Sequence, residues 1–120
     1  MSVSSSYRTF VVEQLSRALP SVRARPMFGG VGLYAGAVFF ALIANDALYF
    51  RTDESTRVEF ESLGMAPFRP FDEHGPVMSY YQLPEEILEE PEMLRRWAER
   101  AIEGARARRR RPKNRRRSSE

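Results

Sequence analysis

The sequence predicts an α+β domain: a small antiparallel sheet, made of a meander plus one further strand, with helices at the N-terminus, in the middle and at the C-terminus. Three observations predict it. The stretch "ARPMFGGVGLYAGAVFFALIANDALYF", residues 24–50, is almost continuously apolar and is cut by turn-forming pairs. The segments before and after it carry apolar residues at helical rather than alternating spacing. The chain has 120 residues, of which 42% are hydrophobic, enough for one domain with one modest core.

Each element rests on local signals. Tyr7, Phe10, Val11, Leu15, Ala18 and Leu19 form a helical stripe, with serines ahead of it to cap and Pro20 to stop it. Residues 27–34 read as a first strand, 37–44 as a second and 48–51 as a third, with turns at Ala35-Gly36 and Asn45-Asp46. The second strand is apolar on both faces, so it is expected at the centre, covered by helices or by a partner subunit. Asp53 is placed to cap a helix over 54–63, with Thr56, Phe60 and Leu63 on one face and Gly64 just past its end. Residues 66–76 are proline-rich and read as loop or edge strand. Residues 77–83 read as a further strand, which would turn Tyr80 and Tyr81 to opposite faces and leave one of them exposed or at a subunit contact. Pro84 and Pro91 each suit a first helical turn. Leu94, Trp97, Ala98, Ala101 and Ile102 share a stripe on the last helix, with Trp97 expected in the core and Pro112 ending any continuation.

The glycines of the opening stretch invite other readings. "GVGLYA", residues 30–35, matches G-x-G-x-x-A, but the residues after it are aromatic and β-branched rather than helical, and no βαβ unit fits. Residues 31–50 approach the length of a membrane span, yet Asn45-Asp46 interrupts them, and a buried aspartate is costly there. No membrane association is therefore expected. Glycine in a sheet instead allows close backbone approach or positive φ.

Charge is divided along the chain. Residues 105–120 hold nine basic side chains against one acidic, a balance of +8, whereas residues 1–104 hold ten basic and fifteen acidic, a balance of −5. The expectation is a domain over 1–104 and a disordered arginine-rich tail over 105–120. Arg106, Arg108, Arg109, Arg110, Arg111, Lys113, Arg115, Arg116 and Arg117 are the candidate nucleic-acid contacts, through counterion release and without sequence preference. The tail holds no aromatic for base stacking. A solvated tail, or one lying on the acidic face of Glu85, Glu86, Glu89, Glu90 and Glu92, is the competing reading. Eighteen of the 19 basic residues are arginine, a skew that genomic base composition can also produce.

Catalytic chemistry finds few tools here. With one histidine and no cysteine, the familiar nucleophile–base pairs are missing. His74, beside Asp72 and Glu73, is a poor ligand set because adjacent side chains do not converge easily. No catalytic residue, metal or cofactor is expected, and the protein is read as a non-enzyme. The lack of cysteine suits a reducing compartment, and "MSVSSSYRTF" is not a secretory signal, so a cytoplasmic location is expected.

"RPMFGGVGLY", "FFALIANDALYFRTD" and "SYYQLPEEILEEPEMLRRWAERA" together resemble the N-terminal domain of the TfoX/Sxy family. The family's R-x-M-F-G-G-x-G-x-Y is carried by Arg25, Met27, Phe28, Gly29, Gly30, Gly32 and Tyr34. Leu48, Tyr49, Arg51 and Asp53 come next, then Gly64, Pro67 and Phe68, then Tyr80 and Pro84. The resemblance covers about residues 7–104. It implies a YgaC/TfoX-N kind of fold, similar in outline to type III secretion chaperones, and a link to the positive transcriptional regulation of natural competence. The full-length regulators carry a second, helical domain, which this chain is expected to lack, ending instead in its arginine tail. The first motif is read as structural, a lead-in to the meander. The functional expectation is a regulatory or adaptor module that binds an unidentified protein partner, with a tail that contacts DNA or RNA. The alternative is a chaperone-like protein-interaction module, open to homodimer formation, with no nucleic-acid role.

Overall fold

The structure is a computed structural model, which describes residues 4–27, 29–68 and 79–110, excepting the side chains of 108–110. Its elements are α1 (Ser5–Ala18), β1 (Arg23–Met27), β2 (Gly30–Ala35), β3 (Val38–Ala44), β4 (Ala47–Arg51), α2 (Glu54–Ser62), β5 (Tyr80–Gln82), α3 (Glu85–Leu88) and α4 (Pro91–Arg110). The strands form one open antiparallel sheet in the order β1-β2-β3-β4-β5. This is the α+β architecture expected from the sequence, with β3 at the centre.

The sheet contains one strand more than the meander read from the sequence. The segment that reads as a single strand over 27–34 reverses direction: Met27 pairs directly with Gly30, and Gly29 has φ 78°. Glycine tolerates that conformation without a Cβ clash, so the chain doubles back and β1 becomes an edge strand. Pro26 falls on this edge, where a missing N–H costs no ladder bond. The next turn lies at Gly36-Ala37, one residue later than expected, because Ala35 pairs with Val38 and Gly36 supplies the positive φ of 62° at the first turn position. The turn at Asn45-Asp46 falls where the sequence places it, with φ 52° at both residues.

Irregular register explains the doubly apolar β3. Leu33 pairs with Ala41 but Tyr34 pairs with Phe39, leaving Phe40 as the extra residue of a bulge. Val38, Phe40, Ala41 and Ile43 consequently enter the main core, while Phe39, Leu42 and Ala44 face the other way. The main core lies between the sheet and the helices. Val11 and Leu15 of α1, Phe60 of α2, Ile87 and Leu88 of α3, and Leu94, Ala98, Ala101, Ile102 and Ala105 of α4 fill it. A second cluster covers the opposite face of the sheet: Leu42, Ala44, Phe68 and Tyr80 are buried there, with Phe39 and Tyr49 against them. Both apolar faces of β3 are thus covered within the chain.

Caps set the helix ends as the sequence anticipates. The Ser4 hydroxyl accepts from the Tyr7 N–H at 3.2 Å. Asp53 and Thr56 form a reciprocal box, the Thr56 N–H donating to Asp53 Oδ1 and the Asp53 N–H to Thr56 Oγ1, both at 2.9 Å. Some stripe assignments differ. Phe10 is exposed at the rim of α1's buried arc, and Leu63 is exposed because α2 ends at Ser62 and leaves it as the C-cap. Tyr80 and Tyr81 do point to opposite faces, but both are buried: the second cluster covers Tyr80, so neither needs a subunit contact. The last helix runs to Arg110 and buries Ala105, so residues 105–110, read as the start of a disordered tail, continue α4. Residues 111–120, with most of the expected tail, lie outside the described residues. So does His74.

Candidate functional site

The first family motif gathers on one face of the sheet. Cross-strand partners share a face, and Arg23↔Tyr34, Arg25↔Gly32 and Met27↔Gly30 are partners. They face away from the helices, as does Tyr34's other partner, Phe39. Met27 folds back over Gly32: a Cβ on Gly32 would meet Met27 Cε at 2.7 Å and Phe39 Cε1 at 3.1 Å. Gly30 is held differently, since a Cβ there would meet the Ile43 carbonyl oxygen at 2.5 Å. Phe28 lies outside the described residues.

Rings cross this face in a row. Tyr34 stacks on Phe39 with centroids 5.1 Å apart, and Phe39 tilts against Tyr80 at 5.6 Å. Arginines close both ends: Arg23 lies 5.8 Å from the Tyr34 centroid and Arg51 5.9 Å from that of Tyr80. Arg23 also donates to the Gly36 carbonyl at 3.3 Å. Tyr49 and Phe68 form a second pair with centroids 5.1 Å apart.

The basic segment begins on α4. Arg106 is exposed and donates to Glu103 at 3.4 Å. It lines a shallow groove of about 800 Å³, with Leu19, Ala35 and Ile102 as apolar floor and Arg96 and Arg100 on the same wall. Arg108, Arg109 and Arg110 occupy the last turn of α4, and Arg111, Lys113, Arg115, Arg116 and Arg117 lie outside the described residues.

Of the remaining helical arginines, Arg57, Arg95 and Arg100 are paired with glutamates, whereas Arg8, Arg17 and Arg96 form no ion pair with a described residue. Ion pairs among the described residues fall within or between α2 and α4: Arg57 with Glu54 and Glu61, Arg95 with Glu92 and Glu99, and Arg100 with Glu59. Hydrogen bonding to Arg100 holds the Glu59 carboxyl below its usual range. Arg100 also covers Trp97, which is half-buried and tilts against Phe60 at a centroid distance of 4.8 Å. The Arg100–Glu59 pair ties α2 to α4, while the others lie within one helix. Among the described residues, no cluster of three or more His, Asp or Glu could hold a metal, and no helix is long and apolar enough to cross a membrane.

Fold and surfaces together define a small α+β domain with an open five-stranded sheet, helices on one face and ring-and-arginine decoration on the other. The family model of the TfoX N-terminal domain matches residues 13–105, and the chain belongs to that family. A search of curated proteins finds no match. On sequence alone the motif residues read as structural. Their grouping with Arg23, Phe39 and Arg51 is not legible there, because it depends on a hairpin and a bulge.

Proposed function

We propose that the protein is a non-enzymatic regulatory or adaptor module of the TfoX N-terminal kind, acting in the cytoplasm. It binds a protein partner and uses its basic C-terminal segment as a non-specific anchor on nucleic acid. A link to competence-type transcriptional regulation is consistent with the family. The carrying observation is the course of α4: the helix is anchored by buried Ala105 and passes directly into the basic run that starts at Arg106. The basic run therefore begins at a fixed point on an otherwise acidic domain, which suits a polyanion anchor.

The test is binding of a labelled mixed-sequence DNA duplex to residues 1–120 and to residues 1–110 at several salt concentrations. The truncation keeps every core residue and removes Arg111, Lys113, Arg115, Arg116 and Arg117. The expected result is salt-sensitive binding by the full chain, with the logarithmic salt slope smaller in the truncation by up to about 4. Equal binding by both would confine the anchor to Arg106, Arg108, Arg109 and Arg110 or to another surface. Absent binding by both would leave the segment as a solvated end. The chaperone-like interaction module would then be the better reading.

A further inference from the structure

The sheet of this domain carries charge of one sign only. The five strands contain three arginines, Arg23, Arg25 and Arg51, and no acidic residue, whereas the helices mix arginine with glutamate. The register places all three arginines on the face turned away from the helices, through Arg23↔Tyr34, Arg25↔Gly32 and Arg51↔Tyr80. None of the three forms an ion pair with a described residue; Arg23 and Arg51 lie against rings instead. Tyr34, Phe39 and Tyr49 are each only half-buried on the same face.

We propose that this outer sheet face binds single-stranded nucleic acid. A base adds to the Phe39–Tyr34 stack at its Arg23 end, while Arg23, Arg25 and Arg51 turn to phosphates. Base stacking on aromatic rings is sequence-tolerant, and a sheet is a suitable platform for it because an unpaired strand can splay its bases onto the surface. A duplex hides those bases and would gain only the charge. An acidic peptide fits less well: it would need main-chain partners, and the open edge β1 lacks an N–H at Pro26. The proposal concerns the sheet and does not rest on the basic C-terminal segment.

The experiment uses the full chain, with Arg108, Arg109, Arg110, Arg111, Lys113, Arg115, Arg116 and Arg117 all changed to Gln so that the C-terminal segment does not mask the sheet. Fluorescence anisotropy is measured with oligo-U and oligo-dT of about 12 nucleotides, with a duplex of equal phosphate count, and with poly-glutamate. Arg25→Glu and Arg51→Glu reverse charge on the sheet, Arg17→Glu makes the same change on α1, and Tyr34→Leu removes the terminal ring. Thermal melting establishes that each variant is folded, and the two sheet-arginine variants back each other up. The expected result is tighter binding of one or both single strands than of duplex. Arg25→Glu or Arg51→Glu should weaken it about tenfold more than Arg17→Glu, and Tyr34→Leu should weaken it without altering the salt slope. A preference for oligo-U over oligo-dT would identify the ligand as RNA, and the reverse as DNA. Equal affinity for duplex and single strand would overturn the proposal, as would indifference to the sheet variants. Binding of poly-glutamate alone, lost in Arg25→Glu, would also overturn it and assign the face to an acidic peptide.

Discussion

Gly30 and Gly32 stand two residues apart on β2, yet different neighbours keep them glycine. At Gly30 the obstacle is backbone, the Ile43 carbonyl oxygen of β3, which cannot move without breaking the ladder. At Gly32 it is chiefly the flexible end of Met27. Gly30→Ala should therefore destabilise by about 2–3 kcal/mol and Gly32→Ala by about 1 kcal/mol or less. Comparison of thermal midpoints checks the order, and a larger drop for Gly32→Ala would refute it. The motif's glycines were legible as sites of close approach or positive φ. Which neighbour approaches was not, because Ile43 is thirteen residues away from Gly30 in sequence.

At the scale of elements, α2 shows how a local signal is realised. Its cap residue, Asp53, and the hydroxyl of Thr56 lie three positions apart, so the sequence contains the whole device. The Asp53 carboxyl is held below its ordinary value, first by the Thr56 N–H. A lowered carboxyl contributes fully above the ordinary carboxylate range and loses that contribution as pH falls through the lowered value. Asp53→Ala should cost about 1 kcal/mol near neutrality, and its gap from the unaltered protein should narrow in acid. Asp53→Asn should keep most of the cap and show little of that pH dependence. Denaturation curves from about pH 7 down to about pH 2 measure both. The turn at Asn45-Asp46 was equally legible, since residues that tolerate positive φ mark it directly. The β1–β2 hairpin was not. Its turn interrupts a run with no polar break, and only the pairing of Met27 with Gly30 separates the strands.

For the whole molecule, the division between domain and basic segment lies further along than composition suggests. Ala105 is 3% exposed within the main core, and α4 extends to Arg110. Ending the chain after Gly104 removes a buried contact and shortens the helix, so residues 1–104 should be less stable than residues 1–110 by about 1 kcal/mol or more. Urea denaturation of the two truncations tests this; matching midpoints would place the end of the domain at Gly104. The same comparison matters for function, because nucleic-acid binding lost in the shorter fragment would mix lost charge with lost structure.

By itself the sequence determined the fold class, the central strand, the helix caps, the Asn45-Asp46 turn and the uneven distribution of charge along the chain. These depend on residues near one another, on periodicity or on composition, all of which act before the chain closes on itself. Only the tertiary structure decided the split of the first strand, the bulge at Phe40, the cover that Phe68 and Tyr80 give to β3, and the meeting of Arg23, Tyr34, Phe39 and Arg51 on one face. Strand register decides these. A shift of one residue turns a side chain to the opposite face, and register is set by partners distant in the chain rather than by neighbours.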